Sequence, residues 1–165
     1  MKFILANSTK DNGVQFAAHI LQDIMDRPNV TLILGNHEQV ALEGMDVLMS
    51  PQVKNASDLD DLPEYVKAAL TEWINLGGIP TIEAFRELPR HEQDRIVHFL
   101  SNRCLTYAEI NVNGTDYVLC HDESYYGDVY DAVLITGHTP TRFIDDNPSP
   151  DYIWREGNHW HIDCG

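Results

Sequence analysis

The sequence predicts an α/β sandwich. Three observations carry this: a strand, helix, strand unit at the start, a middle stretch with apolar residues at helical spacing, and a final third that alternates with period two between short turns.

Lys2 to Ala6 reads as a short strand ending in the polar run Asn7-Ser8-Thr9-Lys10-Asp11-Asn12-Gly13. Val14, Ala17, Ala18, Leu21, Ile24 and Met25 share one helical face, and Asp26-Arg27-Pro28 closes that helix. Val30 to Leu34 follows at once as an apolar strand, and its connection to the first strand favours a parallel pair. Glu38 to Met45 is predicted to start another helix directly behind the Gly35-Asn36-His37 turn, where a helix N-terminus suits an anion. Asp58 to Leu76 and Glu83 to Arg103 read as helical, broken by Gly77-Gly78 and by Pro89. Their apolar faces, Val66, Ala69, Leu70, Trp73 and Ile74 on one and Ile96, Phe99 and Leu100 on the other, read as core. His19, His91 and His98 fall in helical stretches away from any strand end and read as surface or packing residues.

After Cys104 the period changes. Leu105 to Val112 and Thr115 to Cys120 flank Asn113-Gly114, a hairpin signal. Ala132 to Thr136, Thr141 to Asp145, Tyr152 to Arg155 and Trp160 to Asp163 are expected as further strands, with turns at Asn147-Pro148-Ser149-Pro150 and Gly157-Asn158.

Composition bounds the function. A chain of 165 residues, 43% hydrophobic and 22% charged, has the size and balance of one soluble domain. The net charge of −15 argues against a nucleic-acid backbone as main partner, and it repels a phosphorylated substrate unless metals or local arginines offset it. No apolar run reaches the length of a membrane span and the N-terminus lacks a signal-peptide pattern, so a cytoplasmic protein with no membrane partner is expected. Cys104, Cys120 and Cys164 have no paired spacing, which argues for packing rather than disulfides or a zinc ribbon.

The residues that carry chemistry stand where apolar runs stop. Thr31-Leu32-Ile33-Leu34 ends in Gly35-Asn36-His37-Glu38, Tyr117-Val118-Leu119-Cys120 ends in His121, and Ala132-Val133-Leu134-Ile135-Thr136-Gly137 ends in His138-Thr139-Pro140. Open α/β sheets do their chemistry at the carboxyl ends of strands. An amide oxygen and imidazoles suit a divalent metal, and a histidine also protonates a leaving oxygen. Asn36, His121 and His138 are therefore expected to converge at one rim.

In that order, Gly35-Asn36-His37-Glu38, His121 and Gly137-His138-Thr139-Pro140 resemble the phosphoprotein phosphatase branch of the calcineurin-like metallophosphoesterases. Trp73, Gly77-Gly78 and Thr81 are similar to a Trp, Gly-Gly and Thr segment of bacterial members, and Ile162-Asp163-Cys164-Gly165 to their Ile-Asp-Thr-Gly strand. The resemblance covers nearly the whole chain. It implies a four-layer α/β/β/α metallophosphoesterase sandwich, incomplete at the N-terminus and the C-terminus, in a single domain over 1–165 with a helical insertion at about 58–103.

The resemblance also implies roles. In the family two cations share a bridging carboxylate, and a water-derived nucleophile attacks phosphorus in line. Asn36, His121 and His138 fall on positions that hold one cation, and His37 falls on the general acid. Asn7 falls nearest the bridging aspartate, Asp11 on the aspartate that orients the catalytic histidine, and Asn12 on a phosphate-binding arginine. The expected cofactor is a divalent ion, manganese first and iron, zinc or nickel as alternatives. The expected substrate is a phosphorylated protein or a small phosphoester such as a dinucleoside polyphosphate.

The chain departs from the family in several places. The Asn7 to Asp11 spacing is one residue longer than in the family's Gly-Asp-x-x-Asp-Arg-Gly loop, no Asp-x-His-Gly occurs, and no arginine lies between His121 and His138. Two dications ~3.5 Å apart repel by ~19 kcal/mol at an effective dielectric of ~20, so anionic ligands are indispensable to a pair. Neutral ligands argue for one ion, with Asp11, Asp122 or water completing its shell. Two readings follow: a metal-dependent phosphoesterase, or a catalytically impaired relative acting as a binding or regulatory module or completed by a partner chain. Lys2 to Ala6 and Trp160 to Asp163 are expected to expose sheet edges, which a homo-oligomer would cover.

Overall fold

The computed structural model describes residues 2–5, 14–51, 53, 58, 61–126 and 131–164. The chain is mixed α/β and divides into two compact units, one holding the helices and the other the strands.

The helical unit comprises α1 (Val14–Met25), α2 (Asn36–Met49), α3 (Glu64–Asn75), α4 (Ile79–Glu87) and α5 (Arg90–Asn102). α1 packs on α4 and α5, and α2 packs on α3, α4 and α5. Ile24, Met25, Met45, Leu70, Trp73, Phe85, Ile96, Phe99 and Leu100 are buried here. The bounds of α1 are those its periodicity predicts. α2 starts earlier than expected, so Asn36 and His37 stand in its first turn rather than in a turn before it. α3 begins only at Glu64, where Pro63 accepts the N–H groups of Val66 and Lys67, so the helix expected from Asp58 is shorter.

Pro89 splits the helix expected over Glu83 to Arg103 into two. It has no N–H to donate and clashes with a helical predecessor, so Leu88 is extended at ψ 143° and the Pro89 carbonyl starts α5 by accepting from Glu92 and Gln93. Trp73 is the other local determinant. Its ring fills the space where a side-chain carbon on Gly44 of α2 or on Gly78 would stand, so both positions admit only glycine without displacement.

The strand unit holds β1 (Lys2–Leu5) and β2 (Val30–Ile33), which pair with each other, and a five-stranded mixed sheet. That sheet contains β3 (Tyr107–Val112), β4 (Thr115–Cys120), β5 (Val133–Thr136), β6 (Trp154–Glu156) and β7 (His159–His161), in the order β3-β4-β5-β7-β6. β3 and β4 form the expected hairpin, with Asn113 at φ 54° and Gly114 at φ 86°, the left-handed pair that a tight two-residue turn needs. β5 runs parallel to β4 and to β7, and β6 is antiparallel to β7. Val118, Cys120 and Leu134 form the buried side of the sheet, with Tyr126 and Ala132 packed on it. On the opposite face the Tyr117 and Trp160 rings meet edge to face at 6.1 Å, and the Arg155 guanidinium lies 4.0 Å over Trp160.

Two strand expectations are overturned. Thr141 to Asp145 is not a strand: Thr141–Phe143 forms a 3-10 turn, closed by the Phe143 N–H donating to Pro140 O at 2.8 Å. Nor does the last strand form an edge, because β7 is paired on both sides, to β5 and to β6. Among the described residues no helix is long and apolar enough to cross a membrane.

Candidate functional site

The site in the strand unit follows from register. β4 and β5 are parallel neighbours with Cys120 opposite Thr136, so the residues just past each strand leave the sheet at the same rim. His121 follows Cys120 directly, and its carbonyl accepts the Gly137 N–H at 3.1 Å, which ties the two exits together. His138 sits at φ 67°, in the left-handed region, with the Thr139 N–H closing a tight turn onto Gly137 O at 2.8 Å. Such a conformation costs a residue with a side chain energy, and it persists where the surroundings require it.

This backbone brings the two imidazoles together. His121 Nε2 lies 3.1 Å from His138 Nδ1, with the rings edge to face and 5.0 Å between centroids. His121 is buried, whereas His138 is 39% exposed, so the pair opens to solvent on one side. Without a cation one ring donates its N–H to the other. Two facing imidazole nitrogens are also donors of the kind that a divalent cation would take.

Asp122 completes the near surroundings. Its Oδ2 is 3.9 Å from His138 Nε2, the nitrogen turned away from His121. That distance is beyond hydrogen-bond length, so the carboxylate acts on the ring only through its charge. Burial pushes the Asp122 carboxyl up, but the Ser124 hydroxyl and N–H, then the His138 and His121 imidazoles, outweigh it and keep it below the usual carboxylate range. Asp122 is therefore an anion beside the two imidazoles.

The other expected site residues are placed as follows. Asn36 and His37 lie in the first turn of α2, in the helical unit. Asn7 and Asp11 fall outside the described residues, as does Asn12. Among the described residues no three His, Cys, Asp or Glu side chains form a ready-made metal shell. His91 is exposed on α5 beside Glu92. The cysteines are reduced, and burial, with Asp122 and Glu123 nearby, raises the Cys120 thiol to about 11. Burial, with Glu38 nearby, raises the Cys104 thiol to about 12.

Sequence reasoning passed over His159 and His161. They occupy β7 on the side of the sheet that carries Thr136, and their rings overlap with centroids 3.8 Å apart. The signal was there in the His-x-His spacing, which puts both side chains on one face of any strand. No protein-family model matches this chain, and no curated protein matches it.

Proposed function

We propose that the chain is a metal-dependent phosphoesterase of the calcineurin-like type, hydrolysing phosphate monoesters on a metallophosphoesterase-type sandwich. On this reading the chain is one domain with a helical insertion at about 58–103. One observation carries it: two ring nitrogens from the ends of parallel neighbours β4 and β5 face each other 3.1 Å apart, donors of the kind that a divalent cation would take. The ordered set Gly35-Asn36-His37-Glu38, His121 and Gly137-His138-Thr139-Pro140 supports the same chemistry.

His121 and His138 hold the cation, and the resemblance assigns Asn36 and, in the place of the bridging aspartate, Asn7 to the same ligand set. The ion is manganese, with iron, zinc or nickel as alternatives, and one ion rather than two. What a bound dication supplies is Lewis-acid polarisation of a phosphoryl oxygen and a water that deprotonates more easily. Asp122 places a negative charge 3.9 Å from His138 Nε2. His37 protonates the leaving oxygen and Asp11 orients it. The substrate is a phosphorylated protein or a small phosphoester.

Purified protein with Mn²⁺ and a chromogenic phosphate ester tests this. Turnover that chelation stops and His37→Ala removes is the expected result. No turnover, or equal turnover in both proteins, contradicts it. The uncharged side-chain types at the ligand positions Asn36, His121 and His138 favour a second reading, a cation-binding module without catalysis, whose signature is saturable Mn²⁺ binding with no turnover.

A further inference from the structure

The β3–β4 hairpin turns on a chemically reactive pair. Asn113 and Gly114 form its two-residue loop, both exposed, with φ of 54° and 86°. In an asparagine followed by glycine the next backbone nitrogen reaches the side-chain amide carbon most easily, because glycine puts no side chain in the way. A side-chain carbon built on Gly114 would meet no atom within 4 Å, so water reaches the turn freely.

The same hairpin ties up the attacking nitrogen. The Gly114 N–H donates to Asn111 Oδ1 at 3.1 Å. Asn111 is itself held, its Nδ2 donating at 2.6 Å to Oδ1 of Asp116, the residue directly opposite it in the ladder. A carboxylate only accepts, so this contact fixes which end of the Asn111 amide faces Gly114. A backbone nitrogen attacks carbon only after giving up its proton. The Asn111 carbonyl oxygen is too weak a base to take that proton, and by accepting a hydrogen bond it stabilises the protonated form.

We propose that Asn113 is a site of spontaneous deamidation, with water as co-reactant, and that Asn111, oriented by Asp116, restrains the reaction while the hairpin is folded. The Gly114 nitrogen loses its proton and bonds to Asn113 Cγ; the Cγ–Nδ2 bond breaks, and ammonia leaves carrying that proton. Water then opens the resulting cyclic imide at either carbonyl, leaving aspartate or isoaspartate at position 113 and one further negative charge. Isoaspartate runs the main chain through an extra methylene, which the two-residue loop holding Val112 opposite Thr115 does not accommodate. The modification therefore loosens the hairpin on which it sits.

Timed incubation of the full chain in mildly alkaline buffer, native and in urea, followed by peptide mapping with mass detection, tests the proposal. Mapping separates Asn113 from Asn12-Gly13, which lies outside the described residues. Conversion at Asn113 to a mixture of aspartate and isoaspartate is expected, slower in native protein than in urea. Asn111→Ala is expected to raise the native rate by about 2- to 10-fold, the kinetic equivalent of one hydrogen bond. Because that substitution also perturbs the hairpin, the paired exchange Asn111→Asp with Asp116→Asn keeps both contacts, the donor of the second reversed, and is expected to retain the wild-type rate. A native rate equal to that in urea, a native rate indifferent to Asn111→Ala, or an exchange variant as fast as Asn111→Ala overturns the proposal.

Discussion

His121 Nε2 and His138 Nδ1 stand 3.1 Å apart although 17 positions separate them in the chain. The parallel register of β4 and β5 produces this, with the turn at His138 held in a left-handed conformation.

That conformation has a measurable cost. In metal-free protein His138→Ala keeps the side-chain carbon at φ 67°, while His138→Gly removes it. The glycine variant is expected to be the more stable of the two by about 1 kcal/mol in urea denaturation. An alanine variant as stable as the glycine one would mean that the turn relaxes once the imidazole is gone.

Trp73 gives a second test, in the helical unit. Gly44→Ala pushes a methyl into its ring, and the expected loss is about 1–3 kcal/mol by denaturant melts. Gly114→Ala meets no neighbouring atom, so any cost there comes from its φ of 86° alone. Replacing Trp73 with Leu in the Gly44→Ala background should recover part of the loss, because the clash is with the indole.

Stability should fall on mild acidification. His159 and His161 have folded-state pKa values below the ordinary 6.5, chiefly through burial, so the unfolded chain takes up protons first as pH drops. Their contribution is complete above pH 6.5 and is lost as pH falls from there through the lowered folded values. Asp122, also lowered, adds a separate loss that begins in the ordinary carboxylate range. Thermal melts between pH 8 and pH 5 should show the first loss in wild type and a flatter profile in the His159→Gln, His161→Gln double variant.

Thiol reactivity separates the three cysteines. Cys120 is buried with its thiol raised to about 11, and Cys104 is raised to about 12, so neither forms appreciable thiolate at pH 8. Cys164 is exposed. A colorimetric thiol reagent should titrate one group in the native protein and three in denaturant.

The fold was legible where one physical signal dominated. The apolar spacing from Val14 to Met25 defines α1, and Asn113-Gly114 can be little else than a tight hairpin. The ends of β4 and β5 were readable because apolar runs stop at His121 and shortly before His138. Around Thr141 the apparent alternation misled: local closure onto Pro140 and the bond from the Thr141 N–H to Asp163 O, at 2.7 Å, outweigh any ladder. The edge expected near Trp160 failed for a different reason, since strand order is set by partners distant in sequence. His159 and His161 were overlooked because a single chain of alternating residues does not reveal which face is buried. Their proximity to Glu123 arises only when β7 lies beside β5.

The cation at His121 and His138 is the central claim, and calorimetric titration of metal-stripped protein with MnCl₂ tests it most directly. Wild type should bind one saturable equivalent, which His121→Ala and His138→Ala each abolish and His159→Gln preserves. Heat of binding that is absent in wild type, or the same in His138→Ala, would contradict it.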